Sequence, residues 1–149
     1  MTDLLLLLAI IIAALVYDFF NGFNDCANAI ATTVSTRALT PRAAIIMAWV
    51  LNFFGALSHT AVAATVGKGV IDPQHVSLTL VLAALIGASM WTGLASFSGI
   101  PVSVTHSLIG GLLGAGIVAH GFGIIVWTGI RKIILAMIFF KEREQVEFV

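Results

Sequence analysis

The stretch FFNGFNDCANAIATTV, residues 19–34, decides how this chain folds, because it places polar side chains directly after an almost unbroken apolar run. Asn21, Asn24, Asp25 and Asn28 fall where a helix that crosses lipid would still be inside the membrane. A carboxylate and three amides are unfavourable there unless they face protein or water. The stretch therefore indicates a polar site inside a membrane protein.

The composition supports this interpretation. Of the 149 residues, 60% are hydrophobic and 9% are charged, which is far from the range of soluble domains. A helix needs about 20 apolar residues to cross a bilayer core of roughly 30 Å, so the chain has room for about four to five segments. We expect an all-α polytopic membrane protein, with residues 1–140 in the membrane domain and residues 141–149 in a charged, exposed tail. The formal net charge of zero does not suggest nucleic acid as a partner.

Apolar segments occur at residues 4–20, 43–67, 76–97, 108–118 and 122–140. Thr40 and Pro41 are typical of the N-cap and first residue of the second helix. The turn at residues 67–75 is expected to be exposed. Arg131 and Lys132 interrupt the last segment, which must cross with these charges facing protein or water, or lie along the interface.

Two polar interruptions predict broken or re-entrant helices. As one straight helix, residues 4–35 would extend about 48 Å, much more than a bilayer core, so we expect a break at Asn21-Gly22. The second interruption is SFSGIPVSVTHS, residues 96–107, with its break at Gly99-Ile100. Between this break and His120, Gly110 and Gly114 form a GxxxG pattern that is typical of close helix packing.

The chemistry of the two interruptions differs. Ser103 and Thr105 lie beside a helix N-terminus, where backbone N–H groups and the helix dipole attract an anion. Asp25 and its neighbouring amides instead offer hard oxygen ligands, which suit a small cation. Helix ends that hold an anionic substrate near a coupling ion are typical of secondary transporters.

Both stretches resemble signatures of the inorganic phosphate transporter family, the sodium- or proton-coupled PiT permeases. NGFNDCANAIAT, residues 21–32, resembles the family pattern Asn-Gly-x-(Asn/His)-Asp-x-Ala-Asn-Ala. GIPVSVTHSLIGGLLGAG, residues 99–116, resembles Pro-x-Ser-(Ser/Thr)-(Ser/Thr)-His-(Ser/Ala) with the glycine-rich helix that follows it. The resemblance covers about residues 17–136. It implies an inverted-repeat transporter that binds phosphate and cations between two halves and works by alternating access.

The resemblance and the side-chain chemistry together give the predicted site. The residues expected to contact phosphate are Ser103, Thr105, His106 and Asn28. The residues expected to hold the coupling cation, sodium or a proton, are Asp25, Asn24 and Asn21. A sodium ion at Asp25 is the one metal ion that we expect, and no other cofactor.

Several of these residues also have a structural interpretation. Ser103 and Thr105 could cap the helix without contacting a ligand, and His106 could hydrogen-bond neighbouring backbone. Asp18 could form a structural hydrogen bond or bind an ion. Val104 stands where the family usually has a hydroxyl residue, which removes one potential phosphate donor.

The second half of the family pattern is absent, so we expect the N-terminal half of a transporter, either a truncated product or a subunit. Its partner would be a second half-transporter chain or a second copy of itself, in the cell (plasma or inner) membrane. The predicted function is cation-coupled transport of inorganic phosphate. The alternatives are half of a permease for sulfate or another oxyanion, and a non-transporting or channel-like subunit. We expect no enzyme, because no nucleophile and base occur at a recognisable spacing.

Overall fold

The computed structural model describes residues 2–58, 69–100 and 102–135, and these residues are mainly helical. The helices are α1 (Thr2–Ser35), α2 (Pro41–Ser58), α3 (Leu78–Phe97), α4 (Val104–His120) and α5 (127–135). Two single 3₁₀ turns, Pro73–His75 and Phe122–Ile124, connect them. The all-α class is therefore confirmed for the described residues, where β pairing is limited to one isolated bridge.

Helix α1 runs without interruption from Thr2 to Ser35, so the predicted break at Asn21-Gly22 is wrong. Its 34 residues form a rod of about 51 Å at 1.5 Å per residue, longer than a bilayer core of roughly 30 Å. A helix with this excess length can tilt or extend beyond the hydrocarbon, and neither requires broken backbone.

The polar residues of α1 also do not require a break. Asn21, Asn24, Asp25 and Asn28 are spaced three and four residues apart, which places them on one side of the helix. An unbroken helix satisfies its own backbone groups. Only this polar side therefore needs protein or water against it.

Helix α2 begins where the sequence predicts. The Thr40 carbonyl accepts a hydrogen bond from the Ala44 N–H at 3.0 Å, and the Thr40 hydroxyl accepts one from the Ala43 N–H at 3.4 Å. Pro41 is the first helical residue, a position that needs no N–H donor. The rest of the predicted segment, from residue 59 to residue 67, lies outside the described residues.

The predicted break at Gly99-Ile100 is confirmed, because the chain leaves helical geometry between α3 and α4. Gly99 has φ +68°, which glycine adopts without the steric cost of a Cβ. Its N–H donates to the Ser96 carbonyl at 3.2 Å, and the Ile100 N–H donates to the Ala95 carbonyl at 2.9 Å. This pair of bonds is a Schellman motif, which satisfies the last carbonyls of α3.

Helix α3 packs closely against α4 through a glycine, but not through the predicted pair. A Cβ placed on Gly111 would lie 2.5 Å from the Ala84 carbonyl oxygen, so the two backbones are in contact there. No described atom lies within 4 Å of a Cβ placed on Gly110 or Gly114. Within this chain Gly111 therefore makes the close approach, because it is the glycine on the side of α4 that faces α3.

The turn before α3 is partly buried, in contrast to the prediction. Val70 and Ile71 are only 1% and 2% exposed, and they pack in one apolar cluster with Leu80 and Ile124. The Asp72 N–H donates to the Ile124 carbonyl at 3.1 Å. This short antiparallel pairing joins the start of α3 to the segment that follows α4.

Two helices, at Asp3–Ser35 and Leu78–Phe97, are long and apolar enough to cross a membrane by length and composition. The shorter helices, at Pro41–Leu57 and Val104–His120, are also apolar. Large apolar side chains point outward, and Phe97 is 82% exposed. Arg131 and Lys132 on α5 are exposed too. The number of membrane crossings stays a prediction.

The close approach at Gly111 gives a test of the packing. Gly111→Ala should lower the free energy of unfolding by about 1–3 kcal/mol, because the new methyl group overlaps the Ala84 carbonyl and forces α3 and α4 apart. Gly110→Ala is the matched control, since it has open space and gains helix propensity. Both free energies can be measured by denaturant titration in detergent micelles. Equal stability of the two variants would contradict the packing described here.

Candidate functional site

A cleft of about 970 Å³ opens between the polar side of α1 and the turn that joins α3 to α4. It combines residues from both sequence motifs, although α2 and most of α3 lie between these motifs in the sequence. The residues that line it are Asn24, Asp25, Asn28, Ser96, Gly99, Ile100, Val102, Ser103, Val104, Thr105 and His106.

The structure brings together the predicted site residues with one exception. Asn24, Asp25 and Asn28 come from α1, and the three residues predicted from the second motif come from the start of α4. Asn21 lies on the same side of α1, one turn nearer the N-terminus, and is not among the lining residues. The two motifs meet without a break in α1, because the helical repeat places the polar side chains of α1 on the side that faces the cleft.

The α1 wall of the cleft is organised by Asn24. Its side-chain nitrogen Nδ2 donates to the Ser96 hydroxyl at 2.6 Å and to the Phe20 carbonyl at 3.2 Å. Ser96 donates in turn to the Thr92 carbonyl at 2.6 Å. Ser96 was not predicted from the sequence. Ser96 lies in the last turn of α3, just before the break, and this position in the sequence could have predicted a side chain that borders the site.

The opposite wall is the N-terminus of α4. Ser103 is the N-cap residue, and its hydroxyl accepts a hydrogen bond from the His106 N–H at 3.4 Å. Ser103 therefore does cap the helix, as one of the two interpretations predicted. This does not exclude ligand contact, since a hydroxyl that accepts one hydrogen bond can still donate its proton. Thr105 lies in the first turn of α4, where its exposed side chain borders the cleft.

A buried hydrogen bond holds the two walls together. The Tyr17 hydroxyl donates to the Val104 carbonyl at 2.9 Å. Tyr17 and Val104 are both buried, in a cluster with Leu85 and Ala88. Because the Val104 side chain packs in this cluster, a hydroxyl residue there would alter the core as well as the cleft. The role of Tyr17 was likewise not predicted from the sequence.

Comparison with known proteins agrees with this arrangement. The model of the Phosphate transporter family matches residues 21–140, which include both motifs and both walls of the cleft. This chain belongs to the phosphate transporter family. The family consists of transporters, which confirms the prediction that the chain is not an enzyme.

Two relatives in the phosphate transporter family are longer than this chain. A Bacillus subtilis (strain 168) protein named "Probable low-affinity inorganic phosphate transporter" is 49% identical over 140 residues, which are 91% of this chain and 42% of the relative. A Streptomyces halstedii protein of the same name is 50% identical over 139 residues, which are 91% of this chain and 64% of the relative. This chain therefore spans less than two thirds of either relative.

A solved structure described as "The sodium-dependent phosphate transporter" matches with a TM-score of 0.84 and 38% sequence identity. The match covers 93% of this chain and 35% of that structure's chain. Family membership and the two long apolar helices together identify a membrane protein.

The charge of the cleft limits what this family member can bind there. Among the described residues that line it, Asp25 supplies the one carboxylate, and none is lysine or arginine. An anion would therefore rely on N–H groups, hydroxyls and the α4 dipole. It would also lie near a carboxylate, which is unfavourable unless a cation or a proton neutralises that charge.

Other polar residues along the chain lie outside the cleft lining. Asp18 is exposed on α1 and is not among the lining residues. The Asn52 amide donates to the Ala48 carbonyl one turn earlier in α2, at 2.8 Å. The ring of His120 stacks edge-to-face on His75, with a centroid distance of 5.3 Å. His59 lies outside the described residues.

The buried bond between α1 and α4 can be tested by Tyr17→Phe. The variant should lower the free energy of unfolding by about 0.5–1.5 kcal/mol, because a buried hydrogen bond is lost while the Val104 carbonyl keeps its place in the α4 hydrogen bonds. Thr36→Val is the matched control, since it removes an exposed hydroxyl that donates to the Thr32 carbonyl at 2.8 Å. Water can replace that bond, so its effect should stay within about 0.5 kcal/mol. If both variants unfold at the same denaturant concentration, the Tyr17 bond does not hold the walls together.

Proposed function

We propose that this chain forms one half of the substrate site of a cation-coupled inorganic phosphate permease in the cell membrane. The observation that carries the proposal is the cleft in which the amides and carboxylate of α1 face the capped N-terminus of α4. The relatives named as inorganic phosphate transporters support phosphate as the substrate.

Phosphate would bind at the α4 wall. The first turn of a helix presents N–H groups that have no partner within the helix, and the helix dipole adds a partial positive charge. The hydroxyls of Ser103 and Thr105 would donate to phosphate oxygens, and His106 and Asn28 would complete the contacts from the two sides of the cleft.

The coupling cation would bind at the α1 wall. Asp25 supplies the negative charge, and Asn24 supplies an amide oxygen beside it. Asn21 lies one turn nearer the N-terminus of α1, outside the cleft, so it would contact the cation only from that turn. Without a cation, the Asp25 carboxylate would repel phosphate. A cation between them would attract both, so binding of each ion would favour binding of the other. The solved sodium-dependent transporter supports sodium as this ion.

Phosphate is favoured over sulfate by the acceptors in the cleft. Near neutral pH phosphate keeps at least one proton and sulfate keeps none. The Asp25 carboxylate and the amide oxygens of the α1 wall can accept a hydrogen bond from a P–OH group. Sulfate would offer them no donor, so it would gain no hydrogen bond from the α1 wall.

The remainder of the site would come from further membrane segments, in a longer polypeptide, a second half-transporter chain or a second copy of this chain. The matched relatives extend well beyond the region that this chain covers. An opposing wall would shield the exposed polar side of α1 from lipid. Alternating access would then follow from movement of one half against the other.

The role of Asp25 can be tested in a chimera that carries this chain in place of the matching 140 residues of the Bacillus subtilis relative. Asp25→Asn should abolish uptake of labelled phosphate driven by a sodium or proton gradient in proteoliposomes, because it removes the charge at nearly constant shape. Asp18→Asn makes the same change outside the cleft and should leave uptake intact. Gradient-driven uptake at the unsubstituted rate in the Asp25 variant would refute the assignment.

The α4 wall can be tested in the same chimera by Ser103→Ala and Thr105→Val. Each loses a hydroxyl that would donate to a charged oxygen, which should cost about 1.5–3 kcal/mol and weaken phosphate affinity roughly tenfold or more. Thr128→Val on α5, away from the cleft, is the control. Unchanged affinity in both variants would mean that these residues only shape the helix end. Competition by excess sulfate as strong as that by phosphate would favour the sulfate alternative.

A further inference from the structure

The side-chain amide of Asn24 has a defined orientation. Nδ2 donates to the Phe20 carbonyl at 3.2 Å, and a carbonyl can only accept. It also donates to the Ser96 hydroxyl at 2.6 Å. Two hydrogens on one nitrogen thus meet two acceptors, and the amide oxygen Oδ1 is left for other partners.

The Ser96 hydroxyl favours this orientation. A hydroxyl has one proton, and Ser96 donates it to the Thr92 carbonyl at 2.6 Å. Its oxygen can then only accept from Asn24. If the amide were rotated by half a turn, Oδ1 would face the Phe20 carbonyl oxygen, which has no proton to offer, and Ser96 could donate to Oδ1 only by giving up its bond to the Thr92 carbonyl. The Phe20 carbonyl and the chain of bonds from Asn24 through Ser96 to Thr92 therefore together favour one of the two amide orientations.

Packing keeps Asn24 and Ser96 at this distance. One turn before Asn24, the Phe20 ring approaches within 3.0 Å of the position that a Cβ on Gly93 would take. The same ring lies edge-to-face on Phe97, with a centroid distance of 6.3 Å. These contacts set the register of α1 against α3 just where the hydrogen bond forms.

We propose that Ser96 is a positioning residue, which fixes the Asn24 amide with its oxygen towards the cleft and so makes this corner favour a metal cation over an anion. The inference rests on the proposed function. Asn24 and Ser96 both line the cleft, next to Asp25. With Nδ2 held against the protein, Asn24 adds an oxygen ligand beside the Asp25 carboxylate. The opposite orientation would present an N–H₂ group, which repels a cation and attracts a phosphate oxygen.

The orientation can be measured on the full 149-residue chain in lipid nanodiscs, by NMR with asparagine-selective ¹⁵N and ¹³C labelling. The chain has four asparagines, Asn21, Asn24, Asn28 and Asn52, so the side-chain signals can be assigned by single substitutions. Hydrogen exchange at Nδ2 reports the bond to Ser96. Titration with sodium chloride, followed at the Asn24 side-chain carbon, reports cation binding at Oδ1, and titration with inorganic phosphate reports the anion.

Ser96→Ala should speed hydrogen exchange at Asn24 Nδ2 by about tenfold and weaken sodium affinity by roughly tenfold, as expected for the loss of one hydrogen bond. Phosphate affinity at saturating sodium should change by less than about twofold. Ser96→Thr keeps a hydroxyl that can donate to the Thr92 carbonyl, so it should behave like the unsubstituted chain. Ser98→Ala, just after α3 and outside the cleft lining, should also have no effect.

Unchanged exchange at Asn24 in Ser96→Ala would overturn the inference, and so would faster exchange with unchanged sodium affinity. Failure of Ser96→Thr to restore both properties would overturn it as well, because a general packing defect would then explain the alanine variant. If sodium shifts Asn24 but the chimera with the Bacillus subtilis relative takes up no phosphate, the inference stands and the proposed phosphate site fails. If phosphate binds and sodium leaves Asn24 unchanged, the phosphate site stands and the inference fails.

Discussion

The hydrogen bond from the Tyr17 hydroxyl to the Val104 carbonyl joins α1 to the start of α4, and the cleft depends on that junction. Backbone that leaves the helix in an apolar environment is stable only where protein covers it or where it lines a cavity. The turn between α3 and α4 meets this condition because α1 lies against it and places polar side chains beside it. The same junction therefore stabilises the irregular backbone and assembles the site.

Neutral groups dominate the cleft lining, and in the proposed function that property would couple the two ions. An arginine or lysine in the cleft would hold an anion permanently, whether or not a cation was present. A helix end and hydroxyls attract an anion more weakly. With Asp25 beside them, binding of an anion would become more favourable when a cation is bound, and the reverse. Coupling can therefore arise from local electrostatics, without a separate device to transmit it.

Much of this arrangement could be predicted from the sequence. Composition indicated an all-α membrane protein, the glycine at residue 99 located the turn, and the polar residues of the two motifs gave most of the cleft lining. Helix length and the polar interruption led to the wrong prediction for α1, because an excess over the bilayer core does not determine whether a helix breaks, tilts or protrudes. Tyr17 and Ser96 were missed because their roles depend on partners far away in the chain, at Val104 and Asn24. Local patterns do not encode such pairings.

The continuity of α1 has a mechanical consequence. From Asn24 the helix extends about 33 Å towards Thr2 and about 17 Å towards Ser35, at 1.5 Å per residue. It is thus a lever with unequal arms, and the residues proposed to bind the cation lie at the pivot. A tilt of about 10° about Asn24 would move the long end by roughly 6 Å and the short end by roughly 3 Å. A broken helix would absorb such a tilt at the break, whereas this one would carry a small rearrangement in the cleft to both faces of the membrane.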